Sequence, residues 1–274
     1  MNVIPLLFYV AAAASYGTFF VTRRVGVGRL STTLLAAGAL AHSFAMGAQT
    51  MAVGHVPIAD ATSAMSTFVW LLAVAYLYME MTTEERAMGV FILPLMVALQ
   101  AIAVLHPGLE KRAPVLESAW FGVHVSSLLF AYASFALACV IGITYVLLFK
   151  EIKAKQLGFF YKRLPSLQRL DTMNVRAVTI GWIFLTVGVV VGVIWTAQAR
   201  VEFAYDPRLR AMSLLDPKIA VALLSWAVYS FQLYARRAIG WSGRRYAWLS
   251  TLGFAIVLVN FVAVGLFLTK SHNF

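Results

Sequence analysis

Residues 119–149 read AWFGVHVSSLLFAYASFALACVIGITYVLLF, a run without a single Asp, Glu, Lys or Arg. A helix of about 20 apolar residues crosses the hydrocarbon core of a bilayer. The run therefore predicts a transmembrane helix that is longer than the bilayer requires and projects into water. The whole chain has the same character, since 61% of its residues are hydrophobic and 12% are charged. Soluble domains are roughly half apolar and about a quarter charged.

Further apolar runs of membrane-spanning length lie on both sides of this one. They cover residues 2–22, 30–52, 63–79, 87–105, 174–197, 219–234 and 246–269. The pattern predicts an all-α polytopic membrane protein, a bundle of about eight transmembrane helices in a single domain over residues 1–274. Residues 1–110 hold the first four helices, and residues 111–274 hold the rest. Residues 26–28, Gly-Val-Gly, are predicted to form a short loop, because no Gly-Lys-Ser/Thr follows them as a phosphate-binding loop would require.

Basic residues are distributed unequally between the two sets of alternating loops. Fifteen of the 22 Lys and Arg residues share one side, among them Arg23, Arg86, Lys150, Arg169 and Arg236. Cytoplasmic loops of membrane proteins carry the excess of Lys and Arg, so this side is predicted to be cytoplasmic and both termini extracytoplasmic. The same bias explains the net charge of +11 without a nucleic-acid partner. The single cysteine excludes a disulfide framework and a C-x-x-C redox motif within the chain.

All five histidines fall towards the side that is poorer in basic residues. His55, His106, His124 and His272 lie in loops or at the ends of spans, whereas His42 lies inside the second span. Histidine is a frequent axial ligand of haem iron, and an ionisable residue inside the membrane is a functional candidate. A packing or solvated role is the alternative for each of them. A zinc site is not favoured, because acidic partners and H-x-x-x-H spacing are missing.

The stretch between Trp195 and Trp226 carries most of the basic residues on the histidine-bearing side. These are Arg200, Arg208, Arg210 and Lys218. They belong either to an ordinary solvated loop or to a site for an anionic ligand at the outer surface. Haem fits the second interpretation, because its propionates bind cations and its ring packs against apolar walls.

An ordered series of short segments carries a resemblance to a known family. The segments are SAWFGVHV at 118–125, YA at 132–133, LPSLQRLD at 164–171, GVIW at 192–195, DPK at 216–218, GWSGRR at 240–245 and SHNF at 271–274. Together they resemble the cytochrome c assembly family of CcsA and HemX type. These are haem-handling membrane proteins with a tryptophan-rich outer loop. The resemblance covers nearly the whole chain and is strongest from about Val115 onward.

The resemblance implies a set of haem-binding residues at the outer surface. His124 and His272 would be the two axial ligands of a non-covalent, b-type haem, beside a platform formed by the loop between the sixth and seventh helices. The residues at or near this platform are Tyr132, Trp195, Arg208, Arg210, Asp216, Lys218 and Trp226. His42 is similar to an intramembrane histidine of the shorter HemX-like members and is a third candidate.

The sequence also departs from the family pattern. Ser213 and Leu215 stand where the pattern has two tryptophans before Asp-Pro-Lys, and Tyr234 stands where it has a second intramembrane histidine. We therefore expect a haem-handling assembly factor rather than a complete haem-attaching synthase, in the inner membrane of a bacterium. Its expected partners are haem, apocytochrome c and a membrane assembly subunit. A HemX-like regulator of haem biosynthesis is one alternative. A small-molecule transporter is the other, although the chain lacks the broken helices of transporter repeats.

Overall fold

The computed structural model describes residues 3–58, 60–106, 118–155, 158–202 and 217–258, and within these ranges the fold is entirely helical. The helices are α1 (Val3–Thr22), α2 (Val25–Val53), α3 (Ala61–Thr83), α4 (Gly89–Leu105), α5 (Ala119–Lys153), α6 (Leu167–Glu202), α7 (Pro217–Tyr234) and α8 (Arg244–Leu258). Five of them, α1, α2, α3, α5 and α6, are long and apolar enough to cross a membrane, while α4 is apolar but shorter. The prediction of an all-α polytopic membrane protein is confirmed.

The predicted loop at residues 26–28 is wrong, because α2 begins at Val25 and both glycines are helical. The chain reverses between α1 and α2 within two residues, with Arg23 in the left-handed region at φ 56°. Gly28 then lies so close to α1 that an added Cβ would be 2.9 Å from the ring of Phe19. Gly28 therefore marks close helix packing rather than a turn.

The ends of the long helices also extend beyond the apolar runs. α6 begins at Leu167 instead of residue 174, and the side chain of Ser166 accepts a hydrogen bond from the backbone N–H of Arg169. α5 continues to Lys153, past the last apolar residue of the predicted span. Hydropathy locates the part of a helix that lies inside the bilayer. Charged residues can also be helical, so a helix continues into water beyond its apolar run.

Three ion pairs of the described residues lie at one end of the bundle, which we call the basic end. There the buried carboxylate of Glu80 accepts hydrogen bonds from Tyr16 at 2.5 Å and from Thr32, and pairs with Arg86 at 3.5 Å. Asp171 of α6 accepts from Arg236 at 2.6 Å. These bonds join α1, α2 and α3, and separately α6 and the segment after α7. The opposite end, where α2 ends near His55 and α5 begins, is the histidine end.

A π-helical turn, Ala235–Ile239, closes the connection between α7 and α8 at the basic end. It ends at Gly240, whose φ of 75° favours glycine because an L side chain is strained there. The backbone N–H of Gly243 donates to Asp171 at 2.9 Å. The connection between α7 and α8 is thereby fixed to the start of α6.

Candidate haem site at the histidine end

His124 lies in the second turn of α5, half-buried, with its ring against α6. Its Nδ1 lies 2.7 Å from the backbone carbonyl oxygen of Gly188. Because a carbonyl oxygen only accepts, Nδ1 must carry the proton, and Nε2 then holds the lone pair of the neutral ring. Histidines that ligate metals almost always donate their other N–H to a carbonyl or a carboxylate in this way. The geometry therefore suits an axial ligand that binds iron through Nε2.

Two glycines of α6 make this close approach possible. A Cβ added at Gly192 would lie 2.5 Å from Cε1 and Nδ1 of His124, and one at Gly188 would lie 2.7 Å from Leu128. Residues 188–192 read GVVVG, the G-x-x-x-G spacing that lets helices in membranes pack closely. Gly192 contributed to the family resemblance, but the sequence analysis did not predict that both glycines allow α5 to pack closely on α6. The G-x-x-x-G spacing would have indicated this close packing.

Trp195 is the tryptophan that the structure brings to His124. Its ring lies nearly parallel to the imidazole, 13° apart with centroids 6.4 Å from each other, and it also contacts Phe121 at 5.1 Å. The side chain is 4% exposed, and its indole N–H is buried without a hydrogen-bond partner in the described part of the chain. An unpaired buried donor costs about 1–3 kcal/mol. Trp195 thus offers a donor for an anionic or polar ligand beside His124.

Trp226 lies on the other face of α6. Its indole N–H donates to the hydroxyl of Thr186 at 2.9 Å, and its ring stacks on Trp182 at 6.3 Å. Thr186 and Gly188 are two residues apart, which places them about 200° apart around the helix. The structure therefore holds Trp226 in the packing of α6 against α7 and does not bring it together with His124.

The remaining predicted residues divide into two groups. Tyr132 is half-buried two helical turns beyond His124, roughly 12 Å along α5, and Arg200 is exposed near the end of α6. Outside the described residues lie His272, Arg208, Arg210, Asp216 and the side chain of Lys218. The pairing of His124 with His272 stays a prediction.

His42 occupies a separate site among the first four helices, where it is fully buried. Its Nδ1 lies 3.1 Å from the Tyr9 hydroxyl and its Nε2 lies 3.0 Å from the Ser66 hydroxyl. Ser66 donates to the Oε1 of Gln100 at 3.2 Å, so it accepts from Nε2–H, and Nδ1 accepts from Tyr9. The chain of bonds joins α1, α2, α3 and α4. His42 could reach an iron only after one of these bonds breaks, and its ligand role stays a prediction.

A cavity of about 720 Å³ also opens at the histidine end, on another face of α5. Its walls include His55, Ser118, Ser126, Val74 and Phe184, but not His124, whose ring faces α6. The Nδ1 of His55 donates to the carbonyl of its neighbour Val56 at 3.2 Å. His55 and His124 therefore share an end of the bundle without sharing a site.

Comparison with known proteins places this architecture in a family. The profile of the family described as cytochrome C assembly protein matches residues 58–272. Similar proteins carry the name cytochrome c biogenesis protein CcsA, among them the following three. The one from Trieres chinensis is 24% identical, over 84% of this chain and 81% of its own length. The one from Heterosigma akashiwo is 26% identical (80% and 76%), and that from Microcystis aeruginosa is 25% identical (89% and 87%). The chain therefore belongs to the cytochrome c assembly protein family.

Proposed function

We propose that this protein binds haem at the histidine end and serves cytochrome c biogenesis as a haem-handling membrane protein. The observation that carries the proposal is the bond from Nδ1–H of His124 to the carbonyl of Gly188 at 2.7 Å. The bond orients the ring and, in the neutral imidazole, places the proton on Nδ1, so Nε2 is the nitrogen that we propose as the ligand of the iron. Family membership independently supports haem as the group that the site handles.

In this proposal His124 and His272 are the two axial ligands of a non-covalent, b-type haem. The indole N–H of Trp195 is available to a propionate or to another polar edge of the ligand. Arg208, Arg210 and Lys218 would pair with the propionates, and Asp216 is the competing partner for these cations. Charge-assisted pairs of this kind are the stronger hydrogen bonds, above all where solvent is excluded.

The role of the protein in assembly would be to position its ligands. Haem supplies vinyl groups that join to the cysteine thiols of apocytochrome c. The residues of this chain supply orientation, through the His124–Gly188 bond and the Trp195 stack, and an apolar wall that excludes water. We place the protein in a bacterial inner membrane, where it would act with a membrane assembly subunit.

A HemX-like regulator of haem biosynthesis is the second candidate. The observation that favours it is the replacement of two expected loop tryptophans by Ser213 and Leu215. A regulator needs to bind haem but does not need to present it to apocytochrome c. Both candidates share the site at His124 and differ in the fate of the bound haem.

Two measurements test the proposal. Protein purified from the membrane should show a Soret band, and its absence after haem addition would reject both candidates. A deletion strain should lose cytochromes c if the protein acts in assembly. Normal cytochromes c with altered haem levels would instead favour the regulator.

A further inference from the structure

A second cleft, lined by polar and charged residues, lies at the basic end, between the end of α3 and the start of α6. It has a volume of about 390 Å³. Its walls are Thr82 and Thr83 of α3, together with Ser166, Gln168, Arg169, Thr172 and Arg176 at the start of α6. Two of these residues are cations and none is an anion. The proposed haem site does not use this cleft.

Both arginines are held in place by single hydrogen bonds, and most of their N–H donors are not used by these bonds. Arg176 donates through one NH to the carbonyl of Thr82 at 3.2 Å, and Arg169 pairs with Glu85 through one NH. Each guanidinium has five N–H donors, so single contacts leave most of them available to a ligand. A guanidinium fork matches the oxygens of a phosphate, and two such forks around one cleft favour a phosphate group.

The hydroxyl groups of the cleft have the opposite hydrogen-bonding character. Thr82, Thr83 and Thr172 donate to carbonyls of their own helices, at 2.9, 2.7 and 3.0 Å. Their oxygens therefore remain as acceptors. The cleft thus combines donors for a phosphate with acceptors for a ligand hydroxyl group.

An apolar surface continues from the cleft towards the middle of the bundle. On α3 it consists of Tyr78 and Val74, which are 52% and 36% exposed, and on α6 of Ile183, which is 47% exposed. From Thr82 to Val74 the helix rises roughly 12 Å. A free anion would make no contact with this apolar surface, whereas the acyl chains of a lipid can pack against it.

We propose that this cleft binds the headgroup of an anionic phospholipid that carries hydroxyl groups, as phosphatidylglycerol does. Arg169 and Arg176 bind the phosphate, the threonine oxygens accept from the headgroup hydroxyls, and the acyl chains lie along Tyr78, Val74 and Ile183. The lipid would thereby contact both α3, which belongs to the first four helices, and α6 of the remaining bundle. This proposal is independent of haem binding.

The test uses full-length purified protein, with bound lipid counted by native mass spectrometry. The parent protein should bind phosphatidylglycerol in preference to phosphatidylcholine. The double variant R169Q/R176Q should weaken that binding roughly tenfold or more, because it loses the charge-assisted hydrogen bonds to the phosphate that arginines outside the cleft do not make. The control R24Q/R29Q removes the same charge from exposed positions at the same end and should leave binding unchanged.

A second variant distinguishes loss of the cleft from loss of the folded structure. T172F fills the cleft and keeps every charge, so it should also lose phosphatidylglycerol while the protein stays monodisperse. Equal losses in R169Q/R176Q and R24Q/R29Q would overturn the proposal, because binding would then depend on charge alone. Displacement of the lipid by millimolar inorganic phosphate would also overturn it, in favour of a site for a free anion.

Discussion

Nδ1–H of His124 in α5 donates to the backbone carbonyl of Gly188 in α6, over a distance of 2.7 Å. The carbonyl is within reach because α5 and α6 pack at glycines, and it dictates which ring nitrogen carries the proton. The orientation of His124 in the proposed haem site depends on that packing. Changes at the glycines should therefore disturb haem binding even with both histidines intact.

Gly192→Ala should displace the imidazole of His124. The new Cβ would lie 2.5 Å from two ring atoms, a contact that only a shift of the ring or of the helix can relieve. Overpacking of this kind costs about 1–3 kcal/mol of stability. The variant should bind haem more weakly than the parent, as measured by haem titration followed at the Soret band.

Gly122→Ala on α5 is the matched control, because an added Cβ there meets nothing within 4 Å. It should be neutral or slightly stabilising, since alanine has the higher helix propensity. Equal loss of haem in both variants would show that the close approach at Gly192 does not hold His124.

Trp195→Phe and Trp226→Phe should have different effects on stability and on haem. Trp195→Phe removes an N–H that has no partner in the described residues, and this gain offsets the packing lost with the smaller ring, so the haem-free protein should keep roughly the stability of the parent. Trp226 loses its bond to Thr186, which should cost about 1 kcal/mol. Haem retention should fall in Trp195→Phe only. Thermal unfolding and haem dissociation rates measure both effects, and the reverse pattern would remove Trp195 from the site.

His42→Leu should destabilise the first four helices without changing the haem at the other site. The hydroxyls of Tyr9 and Ser66 would each lose a buried partner, at a cost of about 1–3 kcal/mol for each unpaired group. Adding Tyr9→Phe should recover part of this loss. A variant that stays fully stable but loses its haem spectrum would instead make His42 a ligand.

The orientation in the membrane is predicted from the distribution of basic residues. Reporter fusions at Thr22 and at Lys155 should both give a cytoplasmic signal, and a fusion at Phe274 should give an extracytoplasmic one. A cytoplasmic signal for the fusion at Phe274 would contradict the extracytoplasmic site for His272.

The sequence predicted which helices form, because long uncharged runs have no other stable arrangement in a bilayer. It also predicted the ends of α1 at Thr22, α4 at Leu105 and α7 at Tyr234, but not where α2 and α6 begin. The sequence predicts a loop at Gly26 and Gly28, yet both lie inside α2. Gly28 permits close packing against α1, and such a glycine looks the same in a sequence as one that permits a turn. The extension of α6 back to Leu167 was missed for a related reason, because hydropathy does not detect helical turns in water.

The candidate site was predicted in part. His124 and Trp195 were named from the sequence and lie together in the structure. Trp226 was predicted with them but packs on the other face of α6. The face on which it packs depends on the rotation of α7 about its axis, which the sequence pattern alone does not determine. The hydrogen bond from His124 to the carbonyl of Gly188 could not be predicted, because every residue has a backbone carbonyl and the side-chain pattern does not indicate which one accepts.

Absorption spectra of the haem-loaded protein with His124→Ala and with His272→Ala test the proposed site most directly. With both histidines on the iron, the parent should show the low-spin spectrum of a bis-imidazole haem. Each substitution should convert it to a weaker-field form, and exogenous imidazole should restore the original spectrum. If both variants keep the spectrum of the parent, neither histidine is an axial ligand and the haem site proposed at this end is wrong.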